Sequence, residues 1–74
     1  MRELKRFREI AGMSQAALAK KAHIERSRLS SAECGYVSLT ESEKASIRRV
    51  LLRAVEDQRQ RLTSVLEQEH AVQA

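Results

Sequence analysis

The chain contains no proline, and glycine occurs only at positions 12 and 35. Proline and glycine are the strongest interrupters of a helix, so the segments between these two glycines and beyond the second are free to run helical. Alanine, leucine, glutamate, glutamine, lysine and arginine fill them, and these are the strong helix formers. The expected fold is therefore all-α. Leu4, Phe7 and Ile10/Ala11 recur at helical spacing over Arg2–Ala11. Gly12 follows where a left-handed helix end favours a residue without Cβ. Ser14 is placed as the N-cap of a second helix, Gln15 to Ala22 or His23, with Leu18, Ala19 and Ala22 on one side. After Ile24, a third helix is predicted from about Glu25 to Cys34, with Leu29 and Ala32 inward, stopped by Gly35.

Beyond the loop Tyr36–Leu39, Thr40-Glu41-Ser42-Glu43 fits a capping box, in which each end side chain accepts the other's amide hydrogen. From there to about Glu69 the apolar residues Ile47, Val50/Leu51, Ala54/Val55, Leu62 and Val65/Leu66 keep helical spacing. Residues 56–61 (EDQRQR) interrupt that stripe with a polar turn and a half. Either one long helix passes through, or two helices meet there; the absence of a breaker favours the continuous helix. The expected organisation is a head over residues 1–56 and a C-terminal helical extension over 57–74.

A chain of 74 residues hides only about 60% of the surface its unfolded form exposes, so a lone core is marginal. Cys34 is the single cysteine, which rules out an internal disulfide. His23 and His70 do not pair with it at zinc-site spacing, so neither a metal nor any other cofactor is expected. Self-association is the remaining source of stability. The apolar runs are too short to span a membrane, and the N-terminus has no signal-peptide core, so a cytoplasmic protein is expected. An enzyme is not expected either, because no nucleophile–base pair, metal set or phosphate-cradling loop appears at usable spacing.

Charge is unevenly divided. Residues 1–30 carry eight Lys/Arg against three acids, and residues 31–74 carry six against seven. A basic head on a near-neutral tail suits a polyanion-binding head whose tail has another task. Two short helices joined by three or four residues, the second of them polar, also have the organisation of a helix-turn-helix. There the first helix braces the second, and the second offers its outer face to base edges.

Residues 4–35, LKRFREIAGMSQAALAKKAHIERSRLSSAECG, resemble the Cro and phage-repressor type (XRE-like) helix-turn-helix DNA-binding family. The likeness rests on the Leu/Phe/Arg first helix, Gly12-Met13-Ser14-Gln15 opening the second, then Leu18-Ala19, and Glu33-Cys34-Gly35 closing the third. It implies a lambda-repressor-like head of about four helices, with the third reading the major groove of double-stranded DNA. Arg26, Ser27, Ser30 and Ser31 match positions that face base edges, and arginine grips guanine in bidentate fashion, whereas serine discriminates poorly. Gln15 and Arg28 match phosphate-facing positions. Tyr36 and Ser38 lie within reach of flanking phosphates, with Tyr36 alternatively closing the core. Arg8 and Glu33 match a partly buried ion pair that orients the scaffold. The sequence departs from the family pattern at four places. His23 stands where glycine is usual, Glu25 where a Ser/Thr cap is usual, Ala32 where a larger aliphatic is usual, and Cys34 where a polar residue is usual.

Members of that family usually act as two-fold dimers, with recognition helices roughly 34 Å apart on a near-palindromic site. Ile47, Val50 and Leu51 are expected to complete the head's core, leaving Val55, Leu62, Val65 and Leu66 for a homodimer of crossed or antiparallel C-terminal helices. The alternative is a last helix folded back on its own chain. The expected function is transcriptional regulation, in its simplest form a dimeric repressor of its own operator, associated with the nucleoid through DNA. A different class of reading is an antitoxin or adaptor whose C-terminal helix docks a protein partner, such as a toxin or co-regulator.

Overall fold

In a computed structural model, the backbone is described for residues 3–73 and the side chains for residues 3–68. Arg2, at the predicted start of the first helix, lies outside the described residues, as do Ala74 and the side chain of His70. Four helices follow in order: α1 (Leu4–Ile10), α2 (Gln15–Ala22), α3 (Arg26–Glu33) and α4 (Glu41–Gln73), with no strand among the described residues. The all-α expectation holds.

The first three helices end in the same way. Each places one residue in the left-handed region: Gly12 at φ 71°, His23 at φ 58° and Gly35 at φ 83°. In each case the next amide reaches back five residues, Met13 to the Arg8 carbonyl (3.1 Å), Ile24 to Ala19 (3.0 Å) and Tyr36 to Ser31 (2.8 Å). This is the Schellman ending, which satisfies carbonyls that a helix terminus leaves without donors. Both glycines of the chain serve it, and His23 performs the same task at the conformational cost a Cβ brings there. Starts are equally local. The Ser14 hydroxyl accepts the Ala17 amide (3.1 Å), and Thr40 and Glu43 exchange the two hydrogen bonds of a capping box (3.1 and 2.9 Å). Glu25 is the N-cap of α3 rather than its first turn, in extended conformation and without a side-chain cap bond.

Each helix gives one fully buried aliphatic residue to the core: Leu4, Leu18, Leu29 and Ile47. Ala19, Ala22, Ala32 and Leu39 complete it, with Met13, Ile24, Val37, Val50 and Leu51 packed around them. Alanine at three of these positions keeps the helices close, and α2 packs against both α3 and α4. The inward seam of α1 differs from the predicted stripe. It runs Leu4, Arg8, Ala11, because Arg8 turns in to meet Glu33, and the neighbouring Phe7 and Ile10 are left exposed at 45% and 62%.

α4 is one helix of 33 residues. At about 1.5 Å per residue it is roughly 50 Å long, and it sets the 54 Å long axis of a molecule only 19 × 17 Å across. The polar turn 56–61 does not break it: it contains no proline or glycine, and Arg59 bonds Glu56 one turn back (2.8 and 3.2 Å). Among the described residues its last tie to the head is Gln58, whose amide donates to the Ala11 carbonyl (2.8 Å), two residues past the boundary expected at 56. From Val55 to Gln68 every residue is exposed. The helix does not fold back on its own chain. Among the described residues, no helix is long and apolar enough to cross a membrane.

Candidate nucleic-acid interface

α2 and α3 are joined by His23, Ile24 and Glu25. Ile24 drops into the edge of the core, while Leu29 and Ala32 bury the inner side of α3 beside Ala19 and Ala22 of α2. Helical spacing then turns Ser27, Ser31 and Cys34 away from Leu29, with Ser30 and Arg26 at the margin. Arg26, Ser27 and Cys34 are exposed, and Ser30 and Ser31 are half-buried. Among the described residues, Arg26 makes no hydrogen bond or ion pair.

The C-terminal end of α3 is fixed by a network at Glu33. Arg8 donates to it in bidentate fashion, Nε to Oε2 at 3.0 Å and Nη2 to Oε1 at 3.1 Å, and the Gln15 amide adds a third bond to Oε1 at 3.3 Å. Arg8 Nη1 donates to the Met13 carbonyl at 2.8 Å. One guanidinium thus ties α1, the α1–α2 turn and α3 together. The side chains are only 11% and 3% exposed, and hydrogen bonding to Glu33 holds the Arg8 pKa above its ordinary value. Planar fork geometry is what makes arginine suited to such a site. Gln15, expected at phosphate, spends an amide hydrogen on this network and remains half-exposed at the start of α2.

The N-terminal end of α3 is tied differently. Arg28 Nε donates to Glu43 Oε2 at 2.6 Å and Nη2 to Oε1 at 2.8 Å, with a long third contact from Nη2 to the Ser38 carbonyl at 3.5 Å. Glu43 is also the capping-box acid of α4, accepting the Thr40 amide. Hydrogen bonding from Arg28, then from the Thr40 backbone, lowers the Glu43 pKa to about 2. This pair is more open, at 39% and 21% exposure. Arg28, expected to face phosphate, therefore has its Nε and Nη2 engaged with Glu43 and Ser38, and Nη1 makes no bond among the described residues. Ser38 is exposed beside it, and Tyr36 is 82% exposed, so the tyrosine does not close the core.

Two features were not anticipated from sequence. Glu43 is the partner of Arg28 as well as a cap, and nothing in the spacing of residues 28 and 43 announces it. Lys21, Arg49 and Arg53 line a shallow groove between the end of α2 and α4, partly balanced by Asp57. The four-residue spacing of Arg49, Arg53 and Asp57 is a readable signal that they share a face. Val55, Leu62, Val65 and Leu66, expected at a dimer interface, are all exposed on α4. Comparison with known proteins found no matching family model, no matching curated protein and no matching solved structure.

Proposed function

We propose that this chain is a helix-turn-helix protein that binds double-stranded DNA, with α3 in the major groove, and regulates transcription. In its simplest form it is a homodimeric repressor acting at an inverted-repeat operator. The observation that carries the reading is the state of α3. It is clamped at one end to α1 and at the other to α4, while Arg26 stands exposed and uncommitted at its start and serines cover its outer side. A polar helix tied to the scaffold at both ends, with an uncommitted arginine, suits base reading. The basic head, with Lys5, Arg6, Lys20 and Lys21 exposed, suits the phosphate backbone. The resemblance of residues 4–35 to Cro-type domains points the same way. Arg26 carries most of the direct discrimination, and the serines add little.

Cys34 offers a direct test, because it is exposed and shares the outer side of α3 with Ser27 and Ser31. Alkylation of Cys34 should slow when duplex containing the operator is bound, and random duplex at moderate salt should protect it far less. Unchanged alkylation at saturating DNA would place the duplex elsewhere on the molecule and overturn the reading. The antitoxin or adaptor reading draws on the uncovered apolar residues of α4 instead; it gains if a stoichiometric partner protein co-purifies and Arg26→Ala leaves activity intact.

A further inference from the structure

The apolar residues that flank the polar turn of α4 are mirrored along the helix, and all but the half-buried Leu51 are exposed. Leu51, Leu52 and Val55 precede the polar turn, and Leu62, Val65 and Leu66 follow it. The pairs 51 and 66, 52 and 65, and 55 and 62 are each equidistant from the Gln58–Arg59 peptide bond. Leu52, Val55, Leu62 and Leu66 also share a face, since residues 52, 55, 59, 62 and 66 are spaced alternately three and four apart. A two-fold axis perpendicular to the helix, lying beside it at the height of that bond, brings each apolar residue of one copy level with an apolar residue of the other.

The two halves are not equivalent in surroundings. The proximal half borders an open groove of about 340 Å³, where Phe7 and Ile10 of α1 face Leu51, Leu52 and Val55 of α4. The distal half has no such neighbour and stands exposed, Leu62 at 61% and Leu66 at 55%. One half is a trough without contents and the other a ridge without a seat. With the axis at 58–59, the ridge lies about 5–11 Å along the helix from the axis, and the trough residues of α4 lie equally far on the other side. Arg59, the only charge within the stripe between residues 52 and 66, is already held by Glu56, so no bare cation is brought to the axis.

We infer that two copies pair antiparallel through α4 about the Gln58–Arg59 bond, each seating its Leu62, Val65 and Leu66 in the other's Phe7–Ile10–Leu52 trough. The area agrees with this. The chain exposes 5830 Å². A compact monomer of 8.4 kDa would expose about 4,600 Å². The surplus, roughly 1,200 Å², is enough for the roughly 800 Å² each partner contributes to a stable interface. The pairing deepens the self-association proposed above and does not depend on the DNA reading.

Sedimentation of the full chain over a concentration series, together with cysteine cross-linking in a Cys34→Ser background, tests both levels. Val55→Cys chains mixed with Leu62→Cys chains should form the mixed disulfide roughly tenfold faster than either forms its own, because only 55 and 62 face each other within bridging distance. Leu66→Lys, at a position exposed in the single chain, should give a monomer with unchanged helicity. A dimer in which Val55→Cys links fastest to itself is parallel and overturns the register while leaving self-association intact. A wild-type chain that sediments as a monomer at all concentrations overturns both.

Discussion

The two ends of α3 are held by the same chemistry in different surroundings. At its C-terminal end Glu33 takes a bidentate arginine from α1, and at its N-terminal end Arg28 gives one to α4. The first pair is almost out of solvent, at 11% and 3% exposure, and the second is at 39% and 21%. A pair removed from water cannot lose one member cheaply, because the other is stranded as a buried charge. A pair open to water is screened, contributes little net stability and can exchange partners. The C-terminal end of α3 is thus fixed to the scaffold, whereas the N-terminal end, beside Arg26, is held by a solvent-screened contact.

The sharpest way to break this contrast is at the buried end. Glu33→Ala leaves the Arg8 guanidinium without its main acceptor and should cost about 3–5 kcal/mol in thermal or urea unfolding, with little dependence on salt. At the open end, Glu43→Gln should lower the melting temperature by less than half as much, and added salt should shrink the difference further. That end also carries a pH signature. Glu43 has a folded pKa of about 2 against an ordinary value of 4.5, so its stabilising contribution is complete above pH 4.5. It is lost as pH falls from 4.5 through 2. The gap in melting temperature between the wild type and Glu43→Gln should close over that range, and a gap unchanged down to pH 2 would refute the Arg28–Glu43 assignment. The smallest effect lies in the turn that feeds α3. His23 sits at φ 58° and ψ 45°, so His23→Gly should stabilise by up to about 1 kcal/mol, a net of relieved strain and added unfolded-state freedom.

Local signals made much of the fold legible. Gly12 and Gly35 mark two of the three Schellman endings, and Ser14, Thr40 and Glu43 mark two helix starts through bonds between near neighbours in sequence. The continuity of α4 followed from the lack of any breaker. What needed the third dimension was orientation. A stripe containing Leu4, Phe7 and Ile10 does not by itself reveal that the seam lies one residue round, through Arg8, because that depends on Glu33 arriving from 25 residues away; only the family resemblance named that pair. The Arg28–Glu43 pair was hidden for the same reason, and it recasts a residue expected at phosphate as one that also braces α3. At His23 the departure from the usual glycine left two outcomes open, avoidance of the left-handed conformation or tolerance of it at a cost, and the chain takes the second.

Whether α3 reads bases is decided by the binding of fluorescent operator duplex to the wild type and to Arg26→Ala, across a panel of single base-pair substitutions. Arg26→Ala should lose about 1–3 kcal/mol of discrimination at one base pair and leave preference elsewhere unchanged. Equal weakening on every duplex would reduce Arg26 to a phosphate contact. Unaltered binding by Arg26→Ala on all duplexes would contradict the assignment of α3 as the reading helix.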